Sequence, residues 1–173
     1  MILAIDTSQM TYSLALSNGW FQSWDDINQS IYHMIDDHHI PNLEAVIINL
    51  GPGRFSGIRS GIAFAKGLAL AKDIPVYGVS HFEVITQKVD LTEATIALDA
   101  RKSQAYTQTV HQGRLIDEIK LLDIESLNDK NLVGNFLGDI ITTDARDLLP
   151  MVQHKSPTDL SKLNAIYLRN PTD

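Results

Sequence analysis

The sequence contains no cysteine in its 173 residues. This absence excludes disulfide bonds, thiolate metal ligands and a cysteine nucleophile, and it is typical of proteins from a reducing compartment. No hydrophobic run reaches the roughly 18 residues that a membrane-spanning helix needs. The first residues also lack the basic region and the cleavage site of a signal peptide. We therefore expect a cytoplasmic protein without a membrane partner.

Basic residues are absent from the first 53 positions, which hold six acidic residues. Residues 54–72 reverse this pattern, with four basic residues and no acidic one. The whole chain has a net charge of −7, which is unfavourable for binding nucleic acid alone, because neutralising phosphates supplies most of that affinity. The basic segment could pair with the acidic one inside the fold, or it could face an acidic partner or a phosphate.

Hydrophobic periodicity predicts a mixed α/β fold. The predicted strands of the first half are short apolar or alternating runs, at 1–6, 12–16, 20–24, 45–50 and 75–79. The predicted helices follow helical spacing, at 25–41, 57–72 and 80–88. The Asn18-Gly19 pair is typical of a hairpin turn. This order of elements predicts a mixed sheet with helices on both faces.

The second half gives weaker signals and predicts a smaller lobe. Its expected strands lie at 94–99, 104–110, 115–122 and 132–137, and its short helices at 144–152 and 158–163. A change of pattern near residue 90 marks the boundary. We therefore expect two domains, residues 1–90 and residues 91–173.

A glycine-rich loop, Gly51 to Gly57, lies between a predicted strand and the second predicted helix. A loop in that position can present backbone N–H groups to an anion. Its glycine spacing fits neither the P-loop nor the dinucleotide-binding fingerprint. The alternative is that the glycines only permit tight turns.

The second predicted helix carries a ridge of very small residues. Gly57, Gly61, Ala65 and Ala69 recur every four residues, which lets a neighbouring backbone approach closely. A helix that is apolar nearly all round is buried on more than one side. One side can be its own sheet, and the other could be covered by the same chain or by another chain. We expect a second chain there.

The expected partner surface also includes the apolar stripe of the first predicted helix. The residues of the whole expected surface, on both helices, are Ile31, Met34, Ile35, His38, Gly57, Ile58, Gly61, Ile62, Ala65, Leu68 and Ala69.

Several segments together resemble the TsaB (YeaZ) family. They are MILAIDTS at 1–8, NLGPGRFSGIRSG at 49–61, AKGLA at 65–69 and PVYGVS at 75–80, with Ile96–Arg101 and Tyr167–Arg169 also similar. The sequence departs from the family pattern at Arg54-Phe55-Ser56, where Ser-Phe-Thr is usual. Asn28-Gln29-Ser30 replaces the family's His-Ser pair, and the chain is short, mainly in the second lobe.

The resemblance implies the fold of the actin-like, sugar-kinase and Hsp70 ATPase superfamily, an α/β fold with two ribonuclease H-like lobes, the second one reduced. It also implies a non-catalytic scaffold in the synthesis of N6-threonylcarbamoyladenosine at position 37 of tRNAs. Such a subunit binds the catalytic subunit TsaD through its first two helices, is joined by the ATPase TsaE, and forms homodimers when alone. It reaches tRNA only through the complex.

Asp6, Thr7 and Ser8 stand where that superfamily binds phosphate, so they are candidate phosphate-binding residues. For Asp6 the alternative is a structural role at the end of a strand. Phosphoryl transfer needs a second phosphate loop and an acid from the other lobe, for which the segment Val133–Asp139 is a thin candidate. We therefore expect no catalytic residue and no resident cofactor. Binding of ATP or ADP with Mg²⁺ at the joint with the partner subunit stays open.

Two further hypotheses remain. The chain could be a small nucleotide-binding kinase or hydrolase of the same superfamily, which would hydrolyse ATP by itself and depend on Asp6. It could also bind tRNA directly through Arg54, Arg59 and Lys66, with an affinity that falls steeply with salt. No two histidines lie four residues apart as in a helical zinc site, so we expect no metal.

Overall fold

The computed structural model describes residues 1–25, 42–89, 92–127 and 131–168. It divides the chain into two compact units. One unit holds residues 1–79 together with 144–165, and the other holds residues 80–143 and the segment from Ile166 onward. This division differs from the expected domains 1–90 and 91–173 in two respects. The first boundary lies at Val79, and residues 144–165 belong to the first unit. The described residues contain no helix long and apolar enough to cross a membrane.

The first predicted helix lies outside the described residues, apart from position 25. The expected partner residues on it are Ile31, Met34, Ile35 and His38. Their part of the predicted partner surface therefore stays a prediction.

The first unit is built on a five-stranded sheet in the order β3-β2-β1-β4-β5. Its strands are β1 (Ile2–Asp6), β2 (Tyr12–Leu16), β3 (Phe21–Trp24), β4 (Ala45–Asn49) and β5 (Val76–Val79). The first three pair antiparallel, whereas β4 is parallel to both β1 and β5. The predicted mixed sheet and the predicted hairpin at Asn18-Gly19 are thus confirmed, and Gly19 has a φ of +97°.

The helix α1 (Phe55–Lys72) packs on one face of this sheet. Because side chains alternate along a strand, Leu3 and Ile5 of β1 point to the same face. They form one buried apolar cluster with Val46 and Ile48 of β4 and with the inner side of α1.

A 3₁₀-helical segment, Ala145–His154, contacts β1, β2 and β4, and we call it the return segment. Its buried residues Ala145, Leu148 and Met151 recur every three positions, which matches the 3₁₀ period. The Ala145 amide donates to Ser13 Oγ at 2.9 Å. The sequence predicted a helix here but assigned it to the second lobe. That assignment was wrong, because these residues bury their apolar side on the first sheet.

The predicted helix at 158–163 is absent from the described structure, in which this stretch is a turn and irregular backbone. Thr158 instead lies along β5, where its amide donates to the Val76 carbonyl at 2.7 Å and its Oγ1 accepts from the Gly78 amide at 3.0 Å. This segment therefore covers an edge of the sheet that would otherwise be unpaired.

The second unit has a sheet in the order β11-β10-β6-β7-β8, with β9 also paired to β7. Its elements are α2 (His81–Thr86), β6 (Glu93–Arg101), β7 (Gln104–His111), β8 (Arg114–Leu115), β9 (Lys120–Asp123), β10 (Leu132–Gly134) and β11 (Asp139–Ile140). The predicted capping box of Ser80 and Glu83 is present at the start of α2. Phe82 and Ile85 of α2 pack on the sheet.

Candidate functional site

Three buried polar side chains meet where β1 and β4 end. Asp6, Ser8 and Asn49 are only 1%, 2% and 0% exposed. The carboxyl ends of adjacent parallel strands lie at one edge of a sheet, which is where α/β proteins commonly bind ligands. We call these three residues the Asp6 network.

Hydrogen bonds within the chain occupy both carboxylate oxygens of Asp6. Asp6 Oδ1 accepts from the Ser8 amide at 2.9 Å and from Ser8 Oγ at 2.7 Å. Asn49 Nδ2 donates to Asp6 Oδ2 at 3.2 Å and to Ser8 Oγ at 3.1 Å. Asn49 Oδ1 accepts from the Gly51 amide at 2.9 Å. Each polar group of the network therefore has a partner in the protein, as buried polar groups require.

The glycine-rich loop lies directly on this network. The Arg54 amide donates to the Ser8 carbonyl at 2.6 Å. A Cβ at Gly53 would stand 2.2 Å from the same carbonyl oxygen, so only glycine permits this approach. The loop's own backbone thus occupies the space beside Ser8.

The candidate phosphate-binding residues Asp6, Thr7 and Ser8 are brought together but enclosed. All three are at most 2% exposed, and the Asp6 carboxylate is hydrogen-bonded on both oxygens. The hydroxyl of Thr7 is buried and has no hydrogen-bond partner among the described residues. This arrangement favours the structural role of Asp6 over contact with a phosphate or Mg²⁺.

The small-residue ridge of α1 faces its own sheet. A Cβ at Gly57 would stand 2.2 Å from the Thr7 carbonyl oxygen, and one at Gly61 would stand 2.3 Å from Thr7 Oγ1. Ala65 and Ala69 are 0% and 2% exposed in the same apolar cluster. The prediction that this ridge contacts another polypeptide was therefore wrong, because β1 and the chain that follows it fill the space.

The other expected partner residues of α1 follow the same pattern. Ile58 and Ile62 are 0% and 7% exposed and belong to the apolar cluster, so the structure contradicts their exposure to a partner as well. Leu68 is half-buried against that cluster, and its place in a partner surface stays a prediction.

The opposite side of α1 is exposed and was missed by the sequence analysis. Leu70 is 70% exposed, and a Cβ at Gly67 would have nothing within 4 Å. We call this the outer face of α1; its exposed residues are Phe55, Ser56, Arg59, Ser60, Ala63, Gly67 and Leu70. The sequence does contain a signal for this face, a second series of small residues at positions 56, 60, 63 and 67.

The outer face of α1 carries one basic residue, Arg59. The Arg59 guanidinium lies 5.0 Å from the centre of the Phe55 ring, within cation–π range. The ion pairs found in the described part of the chain join the amino terminus to Glu44, Lys120 to Asp117 and Arg146 to Asp144. None of them involves the four basic residues of positions 54–72. Pairing of this basic segment within the fold therefore has no support from the described residues.

The described residues offer no site of three or more histidine, aspartate or glutamate side chains that could hold a metal ion. The site consequently consists of the Asp6 network, the glycine-rich loop that covers it, and the outer face of α1.

Comparison with known proteins gives likenesses in both sequence and structure. Residues 27–126 match the family model described as TsaD: tRNA N6-adenosine threonylcarbamoyltransferase. The chain is 30% identical over 160 residues to the tRNA threonylcarbamoyladenosine biosynthesis protein TsaB of Bacillus subtilis (strain 168). It is 34% identical over 121 residues to the protein of the same name from Escherichia coli (strain K12).

The two alignments cover 79% and 61% of this chain. They span 70% of the B. subtilis protein and 52%, about half, of the E. coli protein. Among solved structures, YeaZ from Pseudomonas aeruginosa matches with a TM-score of 0.73 at 22% identity, over 96% of this chain and 99% of that chain. At 22% identity this match shows a shared fold and nothing about function.

Proposed function

Since the chain belongs to the TsaB (YeaZ) family, we propose that it acts in tRNA threonylcarbamoyladenosine biosynthesis as a scaffold that binds the catalytic subunit TsaD. The fold of the actin-like, sugar-kinase and Hsp70 ATPase superfamily agrees with this assignment. The observation that carries the proposal is the outer face of α1, an exposed helix surface of small residues around Leu70.

The chemistry of this face suits a helix of another protein. Small side chains allow two helices to approach closely, and Leu70 supplies apolar area that is lost from water on contact. Arg59, with no ion pair among the described residues, adds positive charge at the rim. We propose that the residues of the first predicted helix extend this surface and that the same face pairs two copies when TsaD is absent.

The proposed role is non-catalytic, and this is supported by the burial of the Asp6 carboxylate within the chain. In a phosphoryl-transfer enzyme an acid at this position would have to be open to a metal ion or a phosphate, whereas here the chain itself encloses it. No specific observation favours the alternative of an independent kinase or hydrolase. In the proposed complex the ATPase TsaE joins this chain and TsaD in the cytoplasm. The chain reaches tRNA only through the complex. Any ATP or ADP with Mg²⁺ would bind at the joint with TsaD.

Replacing Leu70 by glutamate tests the proposal. Leu70 is 70% exposed, so Leu70→Glu leaves the core intact but places a charge in the proposed contact. We expect the affinity for TsaD to fall at least about ten-fold, because burial of the leucine is lost and a carboxylate must be desolvated. Titration of labelled TsaD measures this affinity.

The matched control is Ile116→Glu, the same change at an apolar residue that is 60% exposed in the second unit. It should bind TsaD as the wild type does. Equal binding by wild type and Leu70→Glu would refute the proposed surface.

A further inference from the structure

We propose that Asp6 is a positioning residue that fixes the start of α1 and thereby the outer face that docks on TsaD. This inference rests on the proposed function. It assigns to the enclosed carboxylate a role in presenting the partner surface, without any contact with nucleotide.

The first step is the link between the carboxylate and the backbone of residue 8. Asp6 Oδ1 accepts both the amide and the hydroxyl of Ser8, so it holds this residue in one conformation. Asn49 ties the pair to the end of β4 and also binds the Gly51 amide. Hydrogen bonds to a buried charged group are among the stronger ones in proteins. The Ser8 carbonyl is therefore held in a fixed direction.

The second step is the link between that carbonyl and the helix. The Ser8 carbonyl accepts the Arg54 amide, and Arg54 is the N-cap residue directly before α1. Arg54 makes no side-chain capping bond, and the first turn contains no acidic residue. Since helix starts are ordinarily stabilised by such groups, the bond to the Ser8 carbonyl takes on part of this role and links the start of α1 to the Asp6 network.

The third step connects the helix start to docking. Phe55, Ser56 and Arg59 occupy the first turns and belong to the outer face. If the first turn is ordered in only part of the molecules, the apparent dissociation constant rises by the inverse of that fraction. Loosening the Asp6 network should therefore weaken docking before the protein unfolds.

Exchanging the two side chains of the network tests the inference. In Asp6→Asn an amide group faces the amide of Asn49, and in Asn49→Asp two carboxylates face each other. In the double variant the amide placed at position 6 can again donate to the carboxylate placed at position 49. The pair is then restored, and only the bond from residue 49 to Ser8 Oγ is lost. Replacement of one partner leaves a buried group unsatisfied, whereas the exchange largely avoids this.

Two quantities are measured at a temperature at which all variants are folded: the affinity for TsaD and the amide exchange rate of Arg54. We expect Asp6→Asn to weaken binding about ten-fold and to accelerate exchange at Arg54 by a similar factor. The double variant should recover most of both losses. The control is Leu163→Ala, which removes buried methyl groups beside Gly78, in the apolar cluster under α1 but outside the Asp6 network, and lowers the melting temperature. It should leave docking and the Arg54 exchange rate nearly unchanged.

Three outcomes would contradict either the positioning role of Asp6 or the proposed function. Wild-type affinity in Asp6→Asn overturns the positioning role. Equal losses in Asp6→Asn, in the double variant and in Leu163→Ala also overturn it, because general instability then explains them. Failure of the wild-type chain to bind TsaD overturns the proposed function instead, and the exchange rate of Arg54 still decides whether Asp6 fixes the helix start.

Discussion

Gly61 and Gly67 occupy the same helix but have opposite surroundings. A Cβ at position 61 would meet Thr7 Oγ1 at 2.3 Å and Ile48 Cδ1 at 3.3 Å, whereas one at position 67 would meet nothing within 4 Å. The two glycines therefore have different reasons to be there. Gly61 permits close packing, and Gly67 leaves the outer face of α1 bare at the cost of intrinsic helix stability.

Alanine substitutions at these two glycines should have effects of opposite sign. We expect Gly61→Ala to lower the free energy of unfolding by about 1–3 kcal/mol through overpacking. Gly67→Ala should raise it by up to about 1 kcal/mol, since alanine is the better helix former. Urea denaturation measures both values. A stabilising Gly61→Ala would contradict the contact of the ridge with the sheet.

Asp117 of the second unit gives a pH-dependent contribution to stability. Partial burial acts to raise its pKa, but hydrogen bonds from Lys120 and Thr109 outweigh this effect and hold the pKa below its ordinary value. A carboxylate with a lowered folded-state pKa stabilises the protein above the unfolded-state pKa, and this contribution is lost as the pH falls through the folded-state pKa.

The expected result is that Asp117→Asn is less stable than the wild type at neutral pH and that the difference shrinks on acidification. Thermal melts of both proteins from neutral pH down to pH values below the carboxylate range measure this difference. A stability gap that stays constant over the whole series would show that the charge of Asp117 has no part in it.

Among the elements, those with strong local patterns could be predicted from the sequence. The apolar runs of β1 and β4 and the capping box before α2 are local signals, and the structure has them where expected. The inner side of α1 could not be predicted, because the helix has two series of small residues and only the fold decides which one meets the sheet. The return segment was misplaced for a similar reason: its period showed an apolar side but not which sheet covers it.

The strand predicted at 115–122 shows how a side chain can override a pattern. The structure has β8 and β9 there, separated by residues 116–119. Within that gap the Asp117 carboxylate accepts the amide and the hydroxyl of Thr109, so a side chain takes the place of a backbone partner. Propensity alone does not reveal this kind of bond.

The return segment offers a test of its packing. Leu148 is fully buried and its neighbour Leu149 is half-buried. We expect Leu148→Ala to destabilise the first unit by about 2–5 kcal/mol through the cavity it leaves. The control Leu149→Ala should cost clearly less. Hydrogen exchange should increase in β1 and β2 for Leu148→Ala; an increase confined to β6 and β7 would place the segment on the second sheet instead.

At the scale of the whole molecule, the family likeness and the exposed side of α1 both agree with the proposed scaffold role. The family and its fold could be identified from the motifs at positions 1–8 and 49–61. The proposed partner surface could not, because the exposure of one side of α1 is a property of the folded chain. The basic segment at positions 54–72 of an otherwise acidic protein lies on that same helix.

Side-chain footprinting with hydroxyl radicals, with and without TsaD, tests the central claim most directly. The chain offers its own internal controls, because Phe55 and Leu70 lie on the outer face of α1 whereas Ile116 and Ile140 are exposed in the second unit. We predict that TsaD protects Phe55 and Leu70 from oxidation and leaves Ile116 and Ile140 as reactive as before. Protection of Ile116 or Ile140, with Leu70 still fully reactive, would contradict the claim that the outer face of α1 is the docking surface.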